Sequence, residues 1–579
     1  MIKEIILKFG SAPDEANVRL NVAPVTVFVG PNNSGKSKVL QELNRHCTTG
    51  QKHPTDVILD SVEFSNSLPE KVEDIKEKLL LTPRRNETVQ QGRIFIGRHD
   101  KRLQVRERDF LQSLNDPNAN KKNFCQWYLA LYTLILDGKS RINLTQEREA
   151  GDLQKSPSNY LSILFRDDEK RQEVRRIAYD AFGTYFVVDP TNLGKLRIRY
   201  SPKPPEDVSE ERGIDDRSVK FHKSAINIDD ASDGVKAFTG IVTQIIAGDP
   251  RVVIIDEPEA FLHPALSAKL GKEISISASA SDKRLFVSTH SASFVMGCVQ
   301  SGAPTNIVRL TYQHGVATAR ALPNEKLLQL MRNPLLRSTG VLEGLFYESV
   351  IVTEADSDRA FYQEINERLL AFGDGRGIPN CLFLNAQNKQ TVHQVIKPLR
   401  EMGIPAAAIV DVDILKEGGS VWTDFLKGGF IPEASHLGLG QTRSTIKRKC
   451  DESGKNMKRE GGIDVLDRFD KEAAVNLFKQ LADYGLFVVE GGELESWLPE
   501  LGVSGHGPAW LIETFEKMGS DPDSDGYVRP TEDGVWHFMD EVAAWMRNPN
   551  RSGIPDDVSH NNRLHGDRPS AAPQLQPGA

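Results

Sequence analysis

The chain has 579 residues, 39% hydrophobic and 26% charged, enough apolar material for roughly three or four domains of ordinary size. A single small binding module is excluded, and a mean hydropathy of −0.39 excludes a membrane-embedded or fully disordered chain. With 72 basic against 80 acidic side chains the net charge is −8, so nucleic-acid contact has to be local rather than a bulk attraction. Five cysteines, Cys47, Cys125, Cys298, Cys381 and Cys450, are scattered without a CxxC pair, which fits a reducing, cytoplasmic setting. The N-terminus lacks the apolar core of a secretory signal, and no run approaches the roughly eighteen apolar residues of a spanning helix.

In chain order, Val25–Val29 predicts a short apolar strand, followed by a glycine-bearing turn and the helical periodicity of SKVLQELNRH. From about 70 to 190 the text becomes charged and helix-rich. Its stretch QWYLALYTLILDG predicts a helix apolar on nearly every side, hence buried and suited to packing against another chain. RVVIIDEPEA and RLFVSTH then return to fully apolar strands, as a buried parallel sheet requires. Residues 1–335 read as one interrupted domain. A second α/β unit, 345–515, alternates the strands of SVIVTEADSD, AAAIVDVD and LFVVEGG with helices. Within it, 438–462 is polar, basic and glycine-bearing, and reads as a long mobile loop. Residues 516–558 read as a C-terminal helical extension and 559–579 as a disordered tail.

The segment Gly30-Pro-Asn-Asn33-Ser-Gly35-Lys36-Ser37 fits GxxxxGK[ST] between a strand and a helix. Glycines there let backbone N–H groups meet phosphate oxygens, Lys36 neutralises β/γ charge, and the Ser37 hydroxyl can ligate Mg²⁺. The strand Val252–Ile255 ends in Asp256 and Glu257. Asp256 is the expected Mg²⁺ partner, and Glu257 the group that polarises the attacking water in ATP hydrolysis. In the second unit three apolar strands end in acids: Glu354 and Asp358, Asp411 and Asp413, and Glu490, Glu493 and Glu495. Strand C-terminal ends line the crevice of an open parallel sheet, so these carboxylates are expected to converge. Converging carboxylates call for hard divalent cations, Mg²⁺ or Mn²⁺, and two such ions can drive phosphodiester hydrolysis.

Two resemblances narrow these expectations. Ala231-Ser232-Asp233-Gly234, opening a helix before the acidic strand, and His290 ending the next strand resemble the ABC-type ATPase heads of the SMC group. That resemblance implies an ATP-sandwich dimer in which Ser232 and Gly234 act on the partner's nucleotide and His290 contacts the γ-phosphate or the attacking water. The ExxxD of Glu354 and Asp358 followed by the DxD of Asp411 and Asp413 resembles a Toprim domain, a Rossmann-like parallel sheet. The two halves in this order resemble the OLD family of ATP-coupled nucleases, bacterial and phage proteins of antiviral defence. The resemblance implies an α/β protein with an ATPase head, a helical insertion and a Toprim domain that cleaves DNA, working as a homodimer or larger homo-oligomer, with a partner protein or nucleoprotein encoded nearby. It implies metal binding by Glu354, Asp358, Asp411 and Asp413, with Glu493 or Glu495 completing a second site, Glu354 as a general base and Lys517 as a basic residue stabilising the transition state. Ala355 stands where the family usually has glycine, and NAQNK, 385–389, where a glycine-rich turn is frequent.

Lys447, Arg448, Lys449, Lys455, Lys458 and Arg459 form a basic run that reads equally as a DNA-phosphate patch or a solvated surface. An alternative to the nuclease is an ATPase sensor or scaffold whose Toprim-like unit is inactive and recruits a partner protein or nucleic acid. Topoisomerase or primase chemistry is a weaker third reading.

Overall fold

A computed structural model describes all residues except 13–14, 99–100, 139–142, 156, 314 and 555–579. The expected tail therefore lies outside the described residues. The chain divides into two compact units, Met1–Leu328 and a second beginning at Gln329. No helix among the described residues is long and apolar enough to cross a membrane.

The first unit is built on a six-stranded sheet. Its order is Val316–Leu322, Thr305–Gln313, Val25–Val29, Arg284–Ser288, Val252–Asp256 and Thr133–Leu136. All neighbours are parallel except the first pair. Both faces of the central strands are covered, so every residue of Val25–Val29 is buried. Helix Lys36–Thr49 lays Val39, Leu40, Leu43 and Cys47 onto this sheet at helical spacing. Smaller antiparallel sheets surround the core: a three-stranded one containing Ile2–Leu7, and one around the hairpin Tyr185–Asn192 and Lys195–Ser201.

The stretch QWYLALYTLILDG is not one helix. Cys125–Leu129 forms a widened π turn, Ala130–Tyr132 a last α turn, and Thr133–Leu136 is the edge strand of the main sheet, paired in parallel with Val252–Ile255. A short apolar run of this kind satisfies either a buried helix or a buried strand, and periodicity does not separate them. The 70–190 region is likewise mixed rather than helical, because it supplies this core strand and the hairpin Arg93–Arg98 with Lys101–Arg106.

The second unit centres on a four-stranded parallel sheet in the order Cys381–Asn385, Ser349–Thr353, Ala406–Asp411 and Leu486–Val489. Helices Asp356–Phe372, Gly507–Met518 and Gly534–Arg547 close its core. Two sequence expectations are corrected here. Position 516 is no boundary: helix Gly507–Met518 runs through it, and Val535, Trp536, Met539, Val542 and Ala543 of the next helix are buried among the core residues of the sheet. The loop expected at 438–462 is mostly helix, Glu433–Glu452. Its buried stripe is Leu439, Arg443, Ile446 and Cys450. Arg443 takes an apolar position by donating to the Leu415 carbonyl at 2.8 Å and lying over Trp422, which hides the helical period from a hydropathy pattern.

All five cysteines are free, and all but Cys381 are buried.

Candidate functional sites

The nucleotide pocket of the first unit follows from backbone that few residues can adopt. Gly30 has φ of +146°, and a Cβ there would sit 2.1 Å from the Leu310 carbonyl oxygen. Gly35, at φ +94°, faces Ile58. Asn33 is left-handed at φ +61°, a conformation Asn tolerates better than most residues. Glu42, buried on the helix that follows, accepts from the N–H groups of Val57, Ile58 and Leu59 at 2.7, 3.0 and 2.8 Å. It fixes Ile58 against the loop, a role the sequence reading missed.

Lys36 donates to the carbonyls of Gly30 and Pro31 at 2.8 and 2.7 Å. Burial pulls its ammonium down to about 8, against the opposing pull of Glu257, Asp256 and Glu259. Ser37 Oγ donates to Asp256 Oδ1 at 3.0 Å, and Ser288 Oγ bonds the same oxygen. The expected Mg²⁺ pair of hydroxyl and carboxylate is thus brought together from helix and strand. Ser34 Oγ is buried in the loop with no hydrogen-bond partner among the described residues. These features fit a bound nucleoside triphosphate with Mg²⁺.

Glu257 adopts φ of +51°, and its N–H donates to the Ser288 carbonyl at 2.9 Å. Its Oε1 lies 3.7 Å from His290 Nε2. Burial and the nearby Lys36 charge hold the His290 ring below its ordinary value, against the pull of Glu257. Glu259 was not anticipated. It accepts the His290 N–H at 2.7 Å, its other oxygen is buried without a hydrogen-bond partner among the described residues, and burial raises its carboxyl. The signal for it was legible, a third acid two residues beyond Glu257. Ser232 caps helix Asp233–Ala247 and stands exposed. A Cβ on Gly234 would lie 2.7 Å from the Phe261 carbonyl oxygen, and Phe261 itself, at φ +71°, is 58% exposed.

In the second unit the three acidic strand ends meet. Glu354, Asp411 and Asp413 offer oxygens that all lie within 4.8 Å of one another, and Glu493, Glu495 and His506 form a second such group. Glu354 Oε1 accepts the Asp411 N–H at 3.0 Å. Asp358 accepts the Ala355 N–H at 3.0 Å. Ala355 itself is extended, φ −129°, so the turn needs no glycine. Burial, then the Asp411 and Asp413 charges, push the Glu354 carboxyl up to about 8. Burial and Asp411 push Asp358 up to about 7. Burial also raises Asp411 and Glu493. Asp413 is 9% exposed and its Oδ1 is buried without a hydrogen-bond partner among the described residues. Crowded, protonation-prone, all-oxygen carboxylates with an orphaned acceptor fit a hard divalent cation.

Cations enter this cluster from places the sequence reading did not assign. Lys458 Nζ lies 2.7 Å from Asp411 Oδ2, 3.7 Å from Glu493 Oε2 and 3.9 Å from Asp413 Oδ2. Burial lowers its ammonium, yet the Asp411 bond and the acidic charges around it raise it above its ordinary value. Lys389, from the 385–389 turn, lies 2.8 Å from Asp413 Oδ2 and 3.3 Å from Glu417. His506 Nδ1 is 3.4 Å from Glu493 and 3.6 Å from Glu495. Lys517 is elsewhere engaged: its ammonium bonds Glu513 at 2.9 Å on its own helix and the Gly502 carbonyl at 3.2 Å. The basic group at the acids is therefore Lys458, which precedes the last strand rather than following it. Of the expected phosphate-binding run, Lys447 pairs with Asp451, Arg448 and Lys449 with Glu452, and Arg459 with Glu493. Lys455 is exposed.

Residues 25–296 match a family model described as "AAA domain, putative AbiEii toxin, Type IV TA system". No curated protein matches the chain. Among solved structures, an SMC head bound to the C-terminal winged-helix domain of ScpA is 15% identical, with a TM-score of 0.33, covering 57% of this chain and 99% of its own. The SMC head domain from Thermotoga maritima is 14% identical, with a TM-score of 0.29, covering 56% and 99%. An SMC head with an extended coiled coil from Pyrococcus furiosus is 14% identical, with a TM-score of 0.32, covering 57% and 98%. The matched span contains the phosphate loop, Asp256, Glu257 and His290, and the first unit carries an AAA-type ATPase domain.

Proposed function

We propose that this protein is an ATP-controlled, divalent-metal-dependent nuclease that cuts or nicks DNA in the cytosol, a toxic effector of antiviral defence. The carrying observation is the convergence of Glu354, Asp411 and Asp413, with the orphaned Asp413 Oδ1 among them. Glu354, Asp358, Asp411, Asp413, Glu493 and Glu495 would hold Mg²⁺ or Mn²⁺, which when bound supplies an activated water and neutralises phosphate charge. Glu354, set beside Asp411 and Asp413 at the strand ends, is suited, once deprotonated, to act as a general base at the scissile phosphate. Lys458 offers charge to a phosphate oxygen. Exposed Lys455 and the neighbouring basic residues guide the strand toward the acids.

In the first unit, Lys36, Ser37 and Asp256 bind ATP·Mg²⁺ while Glu257 and His290 serve hydrolysis. The exposed Ser232 and the locked Gly234 favour a signature presented to a second copy of the chain, so ATP would set a homodimer or larger homo-oligomer. The toxin wording of the matched family supports an effector, with its trigger supplied by a partner encoded nearby. The extended Ala355 supports an intact turn without glycine, which weakens one of the two sequence arguments for an inactive scaffold.

Asp411→Ala with Asp413→Ala should abolish plasmid cleavage in Mg²⁺ or Mn²⁺, by at least about a thousandfold, and leave ATPase activity intact. Lys36→Ala should remove ATP binding. Unchanged cleavage in the double variant sinks the nuclease assignment.

A further inference from the structure

The carboxylate cluster already contains a cation, and the chain goes to some length to keep it there. Lys458 lies within 4 Å of three acids drawn from both ligand groups, Asp411, Asp413 and Glu493. The turn that carries it is exposed at Lys455, Asn456, Arg459 and Glu460 but pinned from within. The preceding Met457 is 2% exposed and anchors the segment in the unit's interior. The turn is closed by the N–H groups of Arg459 and Glu460 donating to the Asn456 carbonyl at 3.0 and 2.9 Å, and by the Lys458 N–H donating to Asn456 Oδ1 at 3.1 Å.

Two glycines let this turn press onto the end of the last strand. At Gly492, φ +123°, a Cβ would lie 2.3 Å from the Lys458 carbonyl oxygen, and at Gly462 one would lie 1.8 Å from the Glu490 carbonyl oxygen. The backbone of Lys458 is thus fixed against the strand end that supplies Glu493 and Glu495.

We propose that Lys458 is a permanent internal cation of the cluster, holding one of the two positions a two-ion site would give to metal, so that the unit binds a single divalent ion between Glu354, Asp411 and Asp413. The inference rests on reading the cluster as a metal site. The open acceptor, Asp413 Oδ1, belongs to that group, while the Glu493 and Glu495 side is already met by Lys458, Arg459 and His506. Lys389 closes the other oxygen of Asp413. The Lys458 side chain stays 30% exposed, so its ammonium both neutralises the acids and faces an incoming phosphodiester. It takes over the charge-stabilising task that a second ion performs elsewhere.

Counting Mn²⁺ bound to the full-length, nucleotide-free protein by electron paramagnetic resonance tests this without using cleavage as the readout. The expected result is one ion per chain in the wild type, two in Lys458→Met, and one again in Lys458→Arg, which keeps the charge. Two ions in the wild type, or one in Lys458→Met, overturns the inference, and the wild-type count needs no variant to fold. Two ions together with cleavage leaves the nuclease reading standing and removes only the internal cation. The expected counts without cleavage of plasmid, linear or single-stranded DNA keep the internal cation and remove the nuclease. No bound ion removes both.

Discussion

The phosphate loop and the carboxylate cluster solve opposite electrostatic problems. The first prepares a place for anions by bending one short backbone segment and folding one lysine back onto its own carbonyls. The second gathers anions from three strand ends and must be made tolerable by lysines from two turns remote in sequence. A binding site for negative charge can be written in one continuous motif. A site made of negative charge needs the whole sheet, plus counterions from outside it.

The sharpest way to break this contrast is a substitution that moves a cation without touching an acid. Gly492→Ala places a methyl group against the Lys458 carbonyl at a positive φ, a strain of about 1–3 kcal/mol. Cleavage is expected to fall by at least tenfold while ATPase activity, measured in the same preparation, stays at the wild-type level. Equal loss of both activities would refute a local effect.

Acidity should separate the sites next. The Lys36 ammonium, drawn down to about 8, must be charged to meet phosphate, so ATP affinity is expected to weaken by about tenfold per pH unit above that value. The Glu354 and Asp358 carboxyls, pushed up to about 8 and about 7, must lose protons to meet metal. Mn²⁺ affinity should therefore climb by about tenfold per unit for each proton released between pH 6 and 8. Calorimetric titrations with ATP and with Mn²⁺ would show the two slopes, and a flat metal profile would contradict the crowding of the acids. The smallest effect belongs to Lys517→Ala. An exposed pair with Glu513 contributes about 0.5 kcal/mol or less, and cleavage is expected to stay within twofold of the wild type.

The phosphate loop, the acidic strand and the three acid-tipped strands were legible because each chemical group follows an apolar strand of its own. Lys458 and Lys389 were not legible in their roles, since nothing local marks a surface lysine that folds back onto distant acids. Lys458 read as part of a phosphate-binding run, and Lys517 was favoured by position alone. Helix Glu433–Glu452 was hidden by Arg443 at a buried position. The edge strand Thr133–Leu136 was hidden because it continues a helical run without a break.

Helix Gly534–Arg547 carries a consequence for how the protein comes into being. Burying Trp536, Val535, Met539 and Val542 contributes roughly 1.5–3 kcal/mol per side chain to the core of the acid-bearing sheet, and this helix follows every strand of that sheet in the chain. During synthesis the first unit emerges and can fold first, whereas the acid-bearing unit stays an open-cored intermediate until this helix has left the ribosome. A nascent chain can then complete its phosphate loop before its carboxylate cluster, and under the proposed function that order is a temporal safeguard, since ATP would be held before any strand could be cut.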